Sequence, residues 1–259
     1  MNFTKDINLV TVALCFLVLT GCHKDNDTTG SLHLNLPVYI GSNPVDSLNK
    51  FYADENGRPL ALSMAQFYIS DVSLKNASGT WYTIPNSYLL QRWNNKDFVL
   101  SNIPVGTYTD IRFNVGLDLK TDTSNPAYIS STGPDSALSI SISNEYSMYY
   151  GWQWQGYVFM YIEGSVDMSA AHDGSQLTSI VYLIGGNSGA NLKTVTLPAQ
   201  SFSIASNQSS PLTIICDYGR LLEGINMAAT ANTKSDTYNV NTATASLVAD
   251  SIPTMFRYE

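Results

Sequence analysis

The chain has 259 residues, 44% of them hydrophobic and 13% charged, and its formal net charge at pH 7 is −8. An acidic chain with few charges lacks the basic surface that DNA or RNA binding needs, so nucleic acid is excluded as a partner. A chain of this length can bury one sizeable core.

The N-terminus has the pattern of an exported lipoprotein. Lys5 precedes an apolar run at residues 9–19, which is too short to span a bilayer and has the length of a signal-peptide core. The run ends in Leu-Thr-Gly-Cys at residues 19–22, which resembles the bacterial lipoprotein box. We predict a signal peptide at residues 1–21, lipidation of Cys22, and anchoring by acyl chains. The alternative is an ordinary cleaved signal followed by a chance cysteine.

Residues 22–30 are predicted to be a flexible tether, because polar, charged segments of this kind stay disordered. The His-Lys-Asp-Asn-Asp sequence at residues 23–27 follows the expected lipidation site. Its acidic residues resemble the surface-export signal of some Gram-negative lipoproteins, and a purely solvated tether is the alternative. We expect an outer-membrane lipoprotein of a Gram-negative bacterium, with exposure at the cell surface left open.

The cysteine count excludes an intramolecular disulfide in the mature chain. Of the three cysteines, Cys15 leaves with the signal peptide and Cys22 carries lipid, so Cys216 stands alone. It lies in phase with Leu212 and Ile214 on a predicted strand. We expect a buried, inert thiol there.

Alternation of apolar and polar residues predicts the strands. Leu32, Leu34 and Leu36 alternate with His33 and Asn35, which predicts a half-buried first strand with His33 on its outer face. Further along, residues 66–74 read as a strand with bulky residues on both faces and one irregularity.

The second half of the chain continues in the same way. A polar segment at residues 120–135 is predicted to be a long loop. The alternation of residues 138–143 predicts a strand, and residues 157–163, apolar on both faces, predict a central strand. Residues 242–251 have helical spacing before Pro253, so one short helix is expected. Many short strands with Gly and Pro turns predict one antiparallel β-sandwich domain at residues 31–259.

An aromatic run at residues 147–164 is the most unusual stretch of the chain. Trp152 and Trp154 lie two residues apart, so an extended backbone places them on one face. Gly151 and Gly156 flank them and allow a tight turn or a close approach. The run is either a packed end of the sandwich core or a rigid aromatic surface for a cation, a sugar or a metal.

Several stretches together look like the copper-binding MbnP-like family of exported bacterial proteins. They lie at residues 67–74, 103–108, 111–118, 148–164 and 180–185. The resemblance implies a β-sandwich that binds copper through His side chains and through kynurenine, an oxidised Trp. It also implies a di-haem peroxidase-like partner that makes this modification.

The predicted copper ligands are His33, His172, Met148, Trp152 and Trp154. Neutral His is the usual nitrogen donor to copper, and Cu(I) also accepts thioether sulfur. The family pattern has one His where this chain has Leu183, and another near residues 241–244, where this chain has none. The alternatives are a surface imidazole for His33, a solvated loop residue for His172 and core packing for the Met and Trp residues.

No catalytic residues are predicted, and we expect no enzyme activity. The chain has no nucleophile elbow, no Cys/His metal spacing and no phosphate loop. The alternative function is a surface module that recognises a glycan or a protein without metal. Its candidate contacts are the four Trp residues, Trp81, Trp93, Trp152 and Trp154.

Overall fold

The computed structural model describes residues 28–150, 156–186, 190–226, 229–236 and 242–259. The predicted signal peptide, Cys22 and most of the predicted tether lie outside these residues, as do Trp152 and Trp154. In the described part, no helix is long and apolar enough to cross a membrane.

Strands are the most abundant regular element of the described chain. The strands are β1 (Thr29–Asn35), β2 (Val38–Ile40), β3 (Asn43–Pro44), β4 (Tyr52–Ala53), β5 (Pro59–Asn76), β6 (Trp81–Thr83), β7 (Leu89–Arg92), β8 (Asp97–Pro104), β9 (Gly106–Val115), β10 (Val158–Asp167), β11 (Leu177–Gly185), β12 (Lys193–Thr196), β13 (Phe202–Ile204), β14 (Ser209–Asp217), β15 (Lys234–Asp236) and β16 (Phe256–Tyr258). The α-helices are α1 (Leu119–Asp122), α2 (Ile140–Glu145), α3 (Tyr218–Glu223) and α4 (Thr242–Ser251). Short 3₁₀ turns lie at Pro126–Tyr128, Ser136–Leu138, Thr230–Thr233 and Ile252–Met255.

The strands form two sheets. The smaller has the order β3-β2-β14-β1-β8, with β16 beside β14. The larger has the order β12-β9-β5-β10-β11-β15; β13 pairs with β9, and β4, β6 and β7 pair with β5. The predicted mostly-β fold is confirmed. The sheets are mixed, because β14 runs parallel to β1 and β2, and β15 runs parallel to β11.

Both sheets contribute to one apolar core. The predicted alternation of β1 is confirmed, since Leu32, Leu34 and Leu36 are fully buried while His33 faces outward. In the same smaller sheet, the ring of Phe256 on β16 meets the rings of Phe67 and Phe113 of the larger sheet edge-on, at centroid distances of 5.6 and 5.0 Å. Edge-to-face rings at this spacing stabilise a core beyond their area burial.

Strand β5 is the longest and carries the predicted irregularity. Its register against β9 shifts between Ser70 and Ser73, so one extra residue is accommodated there. Asp71, inside the shift, has φ +53°, a left-handed conformation that Asp tolerates better than most residues. The hydroxyl of Ser87 accepts the amide hydrogen of Val72 at 2.9 Å, which satisfies a backbone donor at the bulge.

The central strand and the C-terminal helix are confirmed. Strand β10 lies between β5 and β11, as the apolar character of residues 157–163 predicted. Helix α4 spans Thr242–Ser251, the predicted range. The Cys216 thiol is fully buried, and burial raises its pKa well above the usual value, in agreement with an inert side chain.

The strand predicted at residues 138–143 is wrong. A 3₁₀ turn ends at Leu138, and α2 begins at Ile140. The Ser143 hydroxyl donates to the Ser139 carbonyl oxygen at 2.8 Å, an i to i−4 contact that a helix permits. The predicted loop at residues 120–135 also contains α1 and the turn Pro126–Tyr128. The alternation of Ser with Leu and Ile therefore did not specify a strand in this segment.

We predict that Gly164→Ala destabilises the protein, because a Cβ at this position of β10 would collide with the Ala61 carbonyl oxygen of β5. The cost should be about 1–3 kcal/mol, the usual range for overpacking, measured by denaturant unfolding. Gly106→Ala is the matched control, since a Cβ there meets nothing within 4 Å. Equal stability of the two variants would contradict this packing.

Candidate functional site

The residues on either side of the undescribed 151–155 segment meet at one end of the larger sheet. The Tyr150 amide donates to the Gly156 carbonyl oxygen at 3.1 Å, and the Val158 amide donates to the Met148 carbonyl oxygen at 2.9 Å. Tyr149 and Tyr157 form an isolated antiparallel bridge. We call this part of the molecule, with the side chains packed around it, the aromatic end. Its buried members are Tyr68, Leu90, Leu117, Leu138, Met148, Tyr157, Val158 and Phe159.

Tyr157 is the centre of the aromatic end. Its ring lies 5.6 Å from the ring of Tyr68 and 5.0 Å from that of Tyr149, measured between centroids. Its hydroxyl donates to the Leu138 carbonyl oxygen at 2.6 Å, and the Tyr68 hydroxyl donates to the Ala137 carbonyl oxygen at 3.0 Å. Burial raises the pKa of both phenols, so each remains a neutral hydrogen-bond donor at physiological pH.

A buried carboxylate fixes the backbone next to the undescribed segment. Asp122, the last residue of α1, is fully buried, and its Oδ1 accepts the Tyr157 amide hydrogen at 2.7 Å. Its Oδ2 has no hydrogen-bond partner among the described residues. Gly156 fits against this carboxylate because a Cβ would lie 2.7 Å from Oδ1. Burial, aided by nearby Asp118 and opposed by the Tyr157 amide, raises the pKa of Asp122 to about 6.

The outer side of the aromatic end holds a second carboxylate. Glu163 Oε1 accepts a short hydrogen bond from the Tyr161 hydroxyl. Burial, then Glu163 itself, raises the pKa of Tyr161, and the same two causes raise that of Tyr150. These phenols therefore stay protonated. Leu183, where the family pattern has His, packs against this cluster and lies opposite Tyr161 on β11.

The two histidines of the described chain have separate partners. His33 lies on the outer face of β1, with Nε2 3.2 Å from Asp97 Oδ1 on the edge strand β8. His172 lies in the loop between β10 and β11, and its Nδ1 is 3.2 Å from the Asn56 carbonyl oxygen. The smaller sheet holds one imidazole and a loop of the larger sheet holds the other.

The donor atoms of the described residues do not fit a copper ion. Met148 is completely buried among apolar and aromatic side chains, so its thioether does not reach solvent. Nowhere in the described ranges do three or more His, Cys, Asp or Glu side chains form a group that could hold a metal ion. Residues 151–155 add only Gly, Trp and Gln.

Two of the predicted Trp contacts are described, and both are partly covered. The Trp81 ring is stacked by Arg112, whose guanidinium carbon lies 4.3 Å from its centroid, and Lys75 Nζ lies 5.9 Å from it. Trp93 packs against the main core. Both rings are half-buried, and the prediction that they contact a ligand stays a prediction.

Sequence reasoning missed Asp122 and the polar neighbours of Trp81. The only signal for Asp122 was Asp118, which caps α1 by accepting the amide hydrogens of Lys120 and Thr121 at 2.9 and 3.1 Å. Arg112 alternates outward from buried Ile111 and Phe113, a pattern that predicts exposure but not a neighbour across the sheet.

The comparisons with known proteins identify one family. A family model described as MbnP matches residues 29–241, a range that runs from β1 through β15 and ends before α4. The curated proteins contain no significant match. Among solved structures, the chain is similar to "MbnP from Methylosinus trichosporium", with 15% identity and a TM-score of 0.49 over 77% of this chain and 80% of that one.

We predict that Asp122 makes stability depend on pH. Its folded-state pKa of about 6 lies above the ordinary value of 3.8, so the folded state holds the proton more tightly than the unfolded chain. The stability that it contributes is present at low pH and is lost as the pH rises from about 4 through about 6.

Asp122→Asn keeps an acceptor for the Tyr157 amide and removes this titration. Between pH 4 and pH 7 the wild type should lose on the order of 2 kcal/mol more unfolding free energy than the variant, measured by urea denaturation at each pH. The same slope in both proteins would contradict the burial of an ionisable carboxyl at this position.

Proposed function

The chain belongs to the MbnP family, and from this premise we propose that it is a lipid-anchored, non-catalytic binding protein of the bacterial outer membrane that takes a non-metal ligand. The proposal has two parts, the anchor and the type of ligand. Different residues support each part, so each has its own test.

The anchor rests on the N-terminal sequence. The apolar run at residues 9–19 and the Leu-Thr-Gly-Cys sequence that ends at Cys22 support export and lipidation. The first described strand, β1, begins at Thr29. A short polar segment between Cys22 and Thr29 would tether the sandwich close to the membrane surface.

A non-metal ligand is supported by one observation above the others: each histidine of the described chain is engaged by its own oxygen partner in a different part of the fold. His33 contacts Asp97, and His172 contacts a backbone carbonyl. A copper site needs several donors that converge with suitable geometry. The copper function that the resemblance implies would need donors that the described residues do not bring together.

The proposal that the protein is not a catalyst rests on the hydrogen bonds of the carboxyl groups at the aromatic end. Its carboxyl groups, Asp122 and Glu163, accept hydrogen bonds from the Tyr157 amide and the Tyr161 hydroxyl. No Ser, Cys or His side chain is hydrogen-bonded to either in the described part of the chain. A general base coupled to a nucleophile, the usual arrangement for covalent catalysis, does not occur there.

We predict that Cys22→Ser moves the protein from the membrane fraction to the soluble fraction and abolishes labelling with radioactive palmitate, because the thiol is the site of acylation. Cys216→Ala is the matched control and should leave both properties unchanged, since that thiol is buried in the core. A Cys22→Ser protein that stays in the membrane fraction would contradict the proposed anchor.

We predict that the mature lipoprotein, purified from its native host, holds no tightly bound copper. Native mass spectrometry in excess Cu(I) or Cu(II) should give the same weak copper distribution for the wild type and for the double variant His33→Ala/His172→Ala. It should also give a polypeptide mass that shows no modification other than the lipid on Cys22.

Two results would overturn this part of the proposal. One is a single copper that the wild type retains and the double variant loses. The other is a mass increase located at Trp152 or Trp154, because it would indicate the oxidised Trp that the family resemblance implies and a di-haem partner that makes it.

A further inference from the structure

A polar recess opens on the outer face of the larger sheet. Its volume is about 340 Å³, near the lower limit of about 300 Å³ for small-molecule sites. Cross-strand neighbours on β6, β5, β9 and β12 line it with hydroxyl, amide and charged groups. They are Thr83, Ser73, Asp71, Arg112, Asn114 and Thr194.

One side of the recess is a directed chain of hydrogen bonds across three strands. The Thr194 hydroxyl donates to Asn114 Oδ1 at 2.7 Å, and Asn114 Nδ2 donates to Asp71 Oδ2 at 3.0 Å. This chain fixes the orientation of the Asn114 amide and leaves Asp71 Oδ1 as an available acceptor. The polar groups are therefore held in position before any ligand arrives.

The bulge in β5 places Asp71 at the recess. Without the extra residue between Ser70 and Ser73, a regular alternation would continue along β5. The left-handed backbone of Asp71 exposes its carboxylate, while Val72 beside it stays fully buried. Bulges often re-aim a side chain next to a functional site.

The opposite side of the recess is Arg112, whose guanidinium carbon lies over the Trp81 ring, 4.3 Å from its centroid. A guanidinium that stacks on an aromatic face can still donate hydrogen bonds from the N–H groups at its edge. Within the described ranges no carboxylate forms an ion pair with Arg112; the acid two residues before it, Asp110, pairs with Lys75 at 3.8 Å. Arg112 and Asp71 line the same recess without forming an ion pair with each other.

We propose that this recess binds the hydroxyl groups of a saccharide. The inference rests on the proposed non-metal binding function and assigns it a site and a ligand class. One sugar hydroxyl donates to Asp71 Oδ1, and a neighbouring hydroxyl oxygen accepts from Arg112. The hydroxyls of Ser73 and Thr83, which lie 2.9 Å apart, accept or donate as the sugar requires.

The two unpaired charges select this class of ligand over others. An anion that approached Arg112 would be repelled by Asp71, and a cation that approached Asp71 would be repelled by Arg112. A neutral molecule with adjacent hydroxyl groups can donate a hydrogen bond to Asp71 and accept one from Arg112 at the same time. An amino-acid zwitterion would meet the two charges, but it has no row of hydroxyl groups to extend the hydrogen bonds that Ser73, Thr83 and Thr194 already make with their neighbours.

The test uses the mature lipoprotein in an amine-oxide detergent, because a glycoside detergent would compete for the recess. Binding of maltotriose, cellotriose, xylotriose and mannotriose is measured by ligand-observed NMR and calorimetry. At least one should bind to the wild type. Asp71→Asn keeps a residue that tolerates positive φ, and Arg112→Gln keeps a planar polar group. Each should weaken that binding about tenfold or more, the usual effect of losing a charged hydrogen bond.

Matched controls separate the site from general charge effects. Asp97→Asn and Arg220→Gln remove a carboxylate and a guanidinium elsewhere on the surface, and both should bind as the wild type does. A trisaccharide that binds the Asp71 and Arg112 variants as well as the wild type would overturn the site while leaving the non-metal function intact. The ligand class would be overturned if glycine or phosphate bound and no trisaccharide did, or if none of these compounds bound. Copper mass spectrometry tests the non-metal function separately.

Discussion

The two-sided pairing of β5 is the constraint on which the rest of the structure depends. This strand pairs with β4 and β10 along its first half, with β7 at its middle, and with β9 and β6 along its second half. Its fully buried Phe67 meets Phe256 in the main core, and its neighbour Tyr68 meets Tyr157 in the aromatic end. Because successive side chains of a strand point to opposite faces, one strand joins both packed regions. The bulge at Asp71 then supplies the polar recess.

Burial determines which polar groups stay protonated and hydrogen-bonded within the fold and which remain open to a ligand. Burial keeps the phenols of Tyr157 and Tyr161 neutral, and the same loss of solvent raises the pKa of Asp122. Buried polar groups of this kind stabilise one arrangement of the chain when they are hydrogen-bonded. Asp71 and Arg112 differ from them, because both retain open hydrogen-bonding positions beside the same recess. The contrast separates a structural polar network from a site that is available to a ligand.

Periodicity predicted the elements that bury one face and failed where no such face exists. The alternation in β1, the central position of β10 and the range of α4 followed from the spacing of apolar residues. Residues 138–143 alternate equally well, yet they form a turn and a helix in which Ser139 and Ser143 are buried and Ile140 is exposed. The sheets also contain parallel pairs such as β1 and β14, which periodicity does not distinguish from antiparallel ones.

The polar recess could not be predicted from sequence, since Asp71, Arg112 and Thr194 are neighbours only through strand register.

The most direct test of the account is one diffraction data set, collected at the copper absorption edge from crystals soaked with Cu(II) and with a trisaccharide that binds in solution. It should show pyranose density against Asp71 and Arg112, and no anomalous peak held by two or more side chains of the folded domain. A copper peak with several protein ligands, together with a recess that contains no sugar density, would contradict the account.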